Sequence, residues 1–199
     1  MSCLSLLDDC VMIKYSKEIQ MLCQDFSCGN EDLDDFFKNG AIKYDEDLMG
    51  KTYCWLTETK PHKVVALVTL ANDSIKTAFI GKPSRNKLNR SIANQKRGRS
   101  YPATLIGRLG VNVEFQGSRV GGQVIDFLKK WFRDDGNKTG CRFMVVDAYN
   151  NERTLRFYES NEFHYLHATE DEERKYYNLD SEKAIHTRLM YMDLINKKF

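Results

Sequence analysis

The sequence predicts an α+β or α/β fold in which helices flank a mixed β-sheet. Residues 108–132 have the pattern of a strand, a glycine-containing turn and a helix. Residues 52–70 hold two β-rich segments separated by a polar stretch with Pro61, which is typical of an antiparallel hairpin. From Thr104 to Tyr158 the order strand, helix, strand, helix implies a parallel strand pair. Both kinds of strand pairing are therefore expected in one sheet.

The length and composition are those of a globular protein. The chain has 199 residues, 42% of them hydrophobic, which is enough for one well-buried core and predicts a single domain over residues 1–199. No run approaches the ~18 apolar residues of a membrane span, and Asp8 and Asp9 interrupt the stretch where a signal peptide has its apolar core. We therefore expect a soluble cytoplasmic protein with no membrane partner.

The spacing of the six cysteines and four histidines predicts neither disulfides nor a metal site. No CxxC pair occurs, so reduced thiols are expected. The histidines do not join the cysteines in metal-ligand spacing, and His164 and His167 are expected on the surface of a strand or loop.

The first half of the chain is predicted to contain three strands and one long helix. The strands cover residues 10–15, 52–57 and 63–70. Asn30 is the expected N-cap of a helix that continues to about Tyr44, because acidic residues follow in its first turn and apolar residues recur on one face. This helix is expected to cover a core.

The second half is predicted to alternate between strands and helices. Apolar residues recur at three- and four-residue steps after Val120, which indicates a helix that packs on the sheet. The expected elements are a strand over 104–113, a helix from Val120 that ends at Gly136 or Gly140, a strand over 141–148, a helix from Asn150 or Asn151 through Tyr158, an acidic surface segment over 170–174 and a final strand over 188–194.

One stretch of the chain is strongly basic. Proline, glycine, asparagine and serine residues over about 74–103 predict a long loop excursion from the fold. This excursion is either a solvated loop or a surface for a polyanion such as RNA, and its composition does not decide between them. From Ser74 to Val113 there are nine basic and no acidic residues: Lys76, Lys82, Arg85, Lys87, Arg90, Lys96, Arg97, Arg99 and Arg108.

The turn between the strand over 104–113 and the next helix contains Gly117, Gly121 and Gly122. Glycines let the backbone approach a ligand closely, and the free N–H groups and positive dipole end of the helix attract an anion. A phosphate pocket is the functional interpretation. The alternative is a structural turn, because glycine-rich turns of this kind also occur where nothing binds.

This turn and the order of elements resemble the GNAT superfamily of acetyl-CoA-dependent N-acetyltransferases. Gln116-Gly-Ser-Arg-Val-Gly121 is similar to the family turn Q/R-x-x-G-x-G/A, except that Arg119 stands where glycine is usual. The resemblance spans residues 10–194 and implies a mostly antiparallel central sheet with a splayed parallel strand pair. It also implies that acetyl-CoA is the cosubstrate, its pyrophosphate held by backbone amides among Gln116, Gly117, Ser118, Arg119, Val120, Gly121 and Gly122.

The departure at Arg119 has a consequence for the geometry of the turn. If φ at this residue is positive, the backbone is strained by ~1–3 kcal/mol. Either the turn differs slightly from that of the family, or the Arg119 side chain compensates by pairing with a phosphate of the cosubstrate. We favour the second interpretation.

A second segment, residues 151–163, resembles the part of the family in which an asparagine contacts the pantetheine arm and a tyrosine approaches the CoA sulfur. By this resemblance Asn151 binds the cosubstrate and Tyr158 is the general acid, because a neutral phenol can protonate the departing thiolate. The alternative for Tyr158 is a core tyrosine on an amphipathic helix. Glu162 replaces a glycine that is common before the final Phe163.

The third similarity is the strand segment Leu109, Gly110 and Val111. By resemblance its backbone pairs with the pantetheine amides, and its N–H groups polarise the thioester carbonyl. The attacking amine must be neutral, so a general base is expected. Glu114, Asp147 or a water molecule can serve, and the sequence does not choose among them.

The acceptor is indicated by weaker similarities to the toxin-like branch of the family, whose members acetylate aminoacyl-tRNA. The cues are residues 26–37, 108–111 and 189–194. A tRNA is expected to bind through Arg85, Lys87, Arg90, Lys96, Arg97 and Arg99. A small amine, a protein amine and a non-catalytic acyl-CoA-binding role are the alternatives, while an antitoxin partner and a homodimer are left open.

Overall fold

The computed structural model describes residues 4–22, 25–90, 92–93, 97–137, 139–180 and 182–195. Its strands are β1 (Cys10–Lys14), β2 (Lys51–Thr57), β3 (Val64–Lys76), β4 (Ser100–Val111), β5 (Phe143–Tyr149), β6 (His164–Tyr165) and β7 (Thr187–Asp193). Its helices are α1 (Lys17–Leu22), α2 (Glu31–Asp35), α3 (Ala41–Glu46), α4 (Lys82–Asn89), α5 (Val120–Arg133), α6 (Glu152–Ser160) and α7 (Glu170–Tyr177).

The described strands form one mixed sheet in the order β1-β2-β3-β4-β5-β7-β6. The pairs β1 with β2, β2 with β3, β5 with β7 and β6 with β7 are antiparallel. Strands β4 and β5 are parallel, and their register joins only residues 103–105 with residues 143–145, although β4 continues to Val111. The predicted mixed, mostly antiparallel sheet with one parallel strand pair is confirmed.

The chain divides into two compact units. The first contains residues 1–71 and 106–131, and the second contains residues 72–105 and 132–199. Strands β3 and β4 contribute residues to both. The single domain over 1–199 stays a prediction.

The first unit is organised by the predicted helix after Asn30. The Asn30 carboxamide oxygen accepts a hydrogen bond from the N–H of Leu33 at 3.1 Å, which confirms the predicted cap. The helix passes from α2 through one π-helical segment, Phe36–Gly40, into α3. It covers a core formed by Tyr15, Phe26, Phe37, Ala41, Cys54, Leu56, Val64 and Leu67.

The second unit corrects the prediction of a loop excursion over 74–103. Strand β3 continues to Lys76, and α4 lies within the basic stretch. Pro83 stands in the first turn of α4, where a missing N–H costs nothing, so it starts the helix instead of breaking a fold. Leu88 and Ile92 are buried in the core of this unit. The basic stretch is therefore attached to the core.

Two further predictions in the second unit are wrong. The acidic segment after Thr169 is the helix α7, and its Glu173 is fully buried. His167 is 1% exposed, not a surface residue. The first error arises because the charge of Glu173 is matched by Arg188 from another part of the chain, and no local pattern shows that pairing. The second arises because the His167 ring packs on Tyr176, a contact that a histidine spacing does not show.

Candidate cofactor-binding and catalytic residues

The predicted phosphate turn lies between β4 and α5. A 3₁₀ turn over Val113–Phe115 follows β4, and α5 begins at Val120. Gly117 has φ +81°, and a Cβ built on it meets nothing within 4 Å. Glycine is therefore favoured here for its backbone conformation, not for lack of space.

The start of α5 offers hydrogen-bond donors that the helix itself does not use. The N–H of Gln123 donates to the carbonyl of Arg119 at 3.0 Å, so Val120, Gly121 and Gly122 precede the first donor of the helix ladder. Their N–H groups lie at the positive end of the helix dipole. This part of the turn fits a phosphate group, because it provides donors without a competing side chain at two of the three positions.

The Gln116 side chain braces the turn. Its amide nitrogen donates to the carbonyl oxygens of Cys28 and Val111, each at 2.9 Å. The side chain thereby ties the end of β4 to the segment before α2. Gln116 positions the turn through this side chain and offers only its backbone to a ligand.

The two departures from the family pattern both occupy left-handed backbone. Arg119 has φ +58° with an exposed side chain, and Glu162 in the second unit has φ +71°. The left-handed region disfavours residues with a Cβ by ~1–2 kcal/mol, which explains why the family pattern has glycine at such positions. Arg119 therefore has the positive φ at which backbone strain is expected.

The β4 segment predicted to pair with pantetheine is packed against the helix that follows Asn30. A Cβ on Gly110 would lie 3.0 Å from the Phe37 ring and 3.2 Å from the Cβ of Cys28, so close packing requires glycine there. Leu109 and Val111 are half-buried. Burial raises the pKa of the Cys28 thiol to about 12, which keeps it protonated and makes it a poor nucleophile.

Tyr158 lies on α6, whose N-cap is Asn151. The Asn151 side-chain oxygen accepts from the N–H of Thr154 at 2.9 Å. Tyr158 is 6% exposed, and its ring packs edge-on against Phe157 and Phe163 at centroid distances of 5.0 and 5.2 Å. Burial raises the pKa of Tyr158 well above its usual range, so the phenol carries its proton at neutral pH.

The two candidate bases have different surroundings. Glu114 forms an ion pair with Lys63, with 2.5 Å between Oε2 and Nζ. Asp147, at the end of β5, accepts a hydrogen bond from the Tyr177 hydroxyl at 3.0 Å. Partial burial raises the pKa of Asp147, the Tyr177 hydrogen bond opposes the rise, and the charge of Asp73 adds to it. A pKa raised toward neutrality suits a general base, whereas the Glu114 carboxylate is already held in its ion pair with Lys63.

The predicted RNA-binding side chains lie on α4 and on the segment before β4. Lys87, Arg90, Arg97 and Arg99 are exposed and Arg85 is half-buried, whereas Lys96 lies outside the described residues. In the part of the chain that the structure describes, none of these five pairs with a carboxylate. The segment is held by the backbone, since the N–H of Thr77 donates to the carbonyl of Arg99 at 2.9 Å.

Within the described ranges, no three His, Cys, Asp or Glu side chains are grouped to hold a metal ion. No helix over the same ranges has the length and apolar character needed to cross a membrane.

Comparison with solved structures shows the same fold. A tyrosine-to-phenylalanine mutant of KacT has a TM-score of 0.69 at 15% identity, covering 94% of this chain and 96% of that one. AtaT complexed with acetyl-methionyl-tRNAfMet has 0.64 at 18% identity, with coverage of 90% and 94%. AtaTR bound with AcCoA has 0.66 at 20% identity, with coverage of 94% and 95%. A related structure is described as the AtaT toxin.

The sequence itself has been compared with curated proteins and with protein families. No curated protein sequence matches it. Residues 20–163, well over half of the chain, match the Acetyltransferase (GNAT) family. The predicted family, the enzyme class and acetyl-CoA as cosubstrate are thereby confirmed. The chain belongs to the acetyltransferase (GNAT) family of acetyl-CoA-dependent enzymes.

Proposed function

We propose that the enzyme transfers the acetyl group of acetyl-CoA to the amino group of an aminoacyl-tRNA. The exposed cations of the basic stretch carry this proposal, because Lys87, Arg90, Arg97 and Arg99 lack carboxylate partners within the described residues. Cations that are not neutralised internally are available to phosphates. The fold similarity to AtaT, whose solved complex contains acetyl-methionyl-tRNAfMet, supports the same acceptor class.

We assign the cosubstrate phosphates to the turn before α5. The N–H groups of Val120, Gly121 and Gly122 lie at the start of α5, and Gly117 keeps one side of the turn open. The exposed Arg119 side chain pairs with a phosphate in this assignment, and the Leu109–Val111 backbone and Asn151 contact the pantetheine arm. Acetyl-CoA supplies the activated acetyl group as a thioester.

The chemistry requires three proton movements: the nitrogen loses one proton before it attacks and a second as the tetrahedral intermediate collapses, and the departing sulfur gains one. A neutral amine attacks the acetyl carbonyl, so a base must accept a proton from the ammonium form, and we assign this role to Asp147. The carbon–sulfur bond then breaks with the electron pair leaving on sulfur. Tyr158 donates its proton to that sulfur, because its buried phenol is neutral before the reaction. The second proton lost by the nitrogen restores the Tyr158 phenol after that phenol has protonated the sulfur. Direct attack in a ternary complex needs no acyl-enzyme.

The competing acceptors are a small amine and a protein amine. Exposed acidic residues on the helix after Asn30, among them Glu31, Asp32 and Asp35, favour a cationic acceptor. We also propose a cytoplasmic location, where charged tRNA and acetyl-CoA are available, and an antitoxin partner by analogy with the complex of AtaT with the C-terminus of the antitoxin AtaR. A homodimer stays a prediction.

Thiol release from acetyl-CoA tests the acceptor. We expect release with charged tRNA and none with uncharged tRNA, which lacks an esterified amine. Double charge reversal, Arg97→Glu with Arg99→Glu, is expected to lower kcat/KM and the salt dependence of the reaction, because both measure phosphate contacts. Charge reversal at Lys43, which lies on α3 and pairs with Asp47 directly after that helix, is the matched control. Turnover of polyamines or peptides but not of charged tRNA would contradict the proposal.

A further inference from the structure

Arg108, on β4 directly before the segment Leu109–Val111, is a half-buried cation with an unusual set of contacts. Its guanidinium lies over the Phe36 ring, 4.9 Å from the centroid, and its Nη1 donates to the carbonyl of Gly107 at 2.8 Å. Its Nε is buried and has no hydrogen-bond partner among the described residues. Leaving a buried charged donor unsatisfied costs at least ~1–3 kcal/mol, so the fold carries a cost here that its own contacts do not offset.

The other arginine–aromatic pairs of the described chain show what Arg108 lacks. Arg142 lies over Phe143 and also pairs with Asp193 at 2.8 Å. Arg188 lies over Tyr165 and pairs with Glu173 at 2.5 Å. In both pairs the aromatic ring covers a face of the guanidinium, and one of its nitrogens, Nη2 in Arg142 and Nε in Arg188, pairs with a carboxylate. Arg108 has the ring, yet no described carboxylate lies within ion-pair distance of it.

The Phe36 ring also determines which part of the Arg108 guanidinium can contact a ligand. Phe36 is the first residue of the π-helical segment, and Phe37, the next residue, is buried against Gly110. A π-helical turn in an otherwise α-helical run is frequent at functional sites. With one face on Phe36, the guanidinium can still donate through its edge, which is the geometry that oxyanions prefer.

We infer that Arg108 and Phe36 form an anion seat that binds a phosphate of the acceptor substrate. This inference rests on the proposed function, in which the adjoining segment Leu109–Val111 contacts the arm of acetyl-CoA, so that the reacting amine must arrive near the same strand. In an aminoacyl-tRNA, the phosphate closest to the amine belongs to the terminal nucleotide, and it is the anion we assign to the seat. A cationic small amine offers no such group.

The kinetic test compares Arg108→Gln, Arg108→Lys and the control Lys43→Gln. Arg108→Gln is expected to lower kcat/KM for charged tRNA about tenfold to a hundredfold through KM, the equivalent of one charge-assisted hydrogen bond. Arg108→Lys restores the charge without the planar fork and is expected to recover part of the loss. The acetyl-CoA Kd, measured by calorimetry, is expected to stay at the wild-type value. A raised acetyl-CoA Kd with an unchanged KM for tRNA overturns the assignment, because the anion then belongs to the cosubstrate.

Two measurements are independent of the acceptor. In a protein with ¹⁵N-labelled arginine, the Nε–Hε resonance that disappears in Arg108→Gln is expected to shift when inorganic phosphate is added. The free energy of unfolding of Arg108→Gln is expected to equal or exceed that of wild type, because the unsatisfied donor has been removed. The anion seat is rejected if the resonance shifts with neither phosphate nor charged tRNA. It is also rejected if Arg108→Gln lowers the free energy of unfolding, because Arg108 then has a structural role. A phosphate response without acetylation of charged tRNA rejects the proposed acceptor and retains the seat.

Discussion

Glu173 on α7 and Arg188 on β7 form a buried ion pair, with 2.5 Å between the carboxylate Oε2 and the guanidinium Nε. The second carboxylate oxygen accepts the backbone N–H of Leu189, and Arg188 also donates to the carbonyl of His167 at 3.3 Å. Burial raises the pKa of Glu173 although both of these donors oppose the rise. Removing both charges from water therefore costs much of the free energy that their attraction gains. We infer that the pair determines where α7 packs and adds little net stability.

Removing one partner of this pair is expected to be costly. Glu173→Ala leaves the Arg188 charge buried and unpaired, so we expect a loss of about 3–5 kcal/mol in the free energy of unfolding, measured with a denaturant. Glu152→Ala, which breaks an exposed pair with Arg156, is the matched control and is expected to cost below ~1 kcal/mol. Replacing both Glu173 and Arg188 by apolar residues is expected to recover much of the loss. Equal effects of the two single changes would contradict this account.

Local patterns predicted most of the sheet because its strands are marked by apolar runs and its turns by glycine or asparagine. The cap at Asn30 and the start of α5 at Val120 were found in this way, and the start of α6 was narrowed to Asn150 or Asn151, of which Asn151 is the cap. The errors concern charged segments that contain residues buried against distant parts of the chain. Helix α4 looked like a loop because basic residues surround Leu88, and α7 looked like a surface segment because Glu173 has its partner far along the chain.

The site was predictable in its backbone but not in its side-chain contacts. The glycine pattern located the turn, whereas nothing local showed that Gln116 braces it or that Asp147 faces Tyr177. Arg108 entered only as one of nine basic residues and as part of a similarity. An isolated arginine within an apolar strand was the signal that could have marked it, since such a residue normally needs a partner.

His167 is expected to make stability depend on pH. Its ring packs on Tyr176 at a centroid distance of 4.7 Å, and within the described part of the chain neither ring nitrogen has a hydrogen-bond partner. Burial lowers the pKa of His167 below the ordinary 6.5; among the facing charges Glu172 opposes this and Arg188 adds to it. The neutral ring therefore contributes stability above pH 6.5 that is lost as the pH falls through the depressed pKa.

The measurement is denaturant unfolding between pH 8 and pH 5, with His167→Phe for comparison. The wild-type free energy of unfolding is expected to fall more steeply below about pH 6.5 than that of the variant. Only in the wild type must an imidazole that is protonated in the unfolded chain lose its proton on folding. His164→Phe, the same substitution at an exposed histidine, is the matched control. Parallel slopes for wild type and His167→Phe would show that His167 does not titrate as argued.

Arg119→Gly is expected to separate stability from cosubstrate affinity. Glycine removes the left-handed penalty at φ +58° but loses backbone entropy on folding, so we expect a net gain in stability of up to ~1 kcal/mol. Acetyl-CoA affinity is expected to fall because the phosphate contact of the side chain is gone. Glu162→Gly, at φ +71°, is the control that should gain stability and keep its affinity. Calorimetry measures both the stability and the acetyl-CoA Kd of each variant. An unchanged Kd for Arg119→Gly would contradict the proposed phosphate contact.

Tyr158→Phe is expected to reduce kcat by ~10²–10⁴-fold, the usual contribution of general acid catalysis, and to leave the acetyl-CoA Kd near the wild-type value. The ring contacts with Phe157 and Phe163 survive in this variant, so its fold is expected to persist. Thiol release and calorimetry give the two quantities. Wild-type turnover in Tyr158→Phe would show that Tyr158 is a packing residue of the core and not the general acid.

The last prediction concerns the pair formed by Asp147 and Tyr177. The Tyr177 hydroxyl stabilises the ionised carboxylate, so Tyr177→Phe is expected to raise the pKa of Asp147 further above its ordinary value. If Asp147 is the base, the acid limb of the kcat/KM profile moves to higher pH in Tyr177→Phe, and Asp147→Asn lowers the rate across the whole profile. Glu114→Gln, which breaks only the exposed pair with Lys63, is expected to retain the wild-type limb. A limb that moves in Glu114→Gln and stays fixed in Tyr177→Phe would transfer the role of base to Glu114.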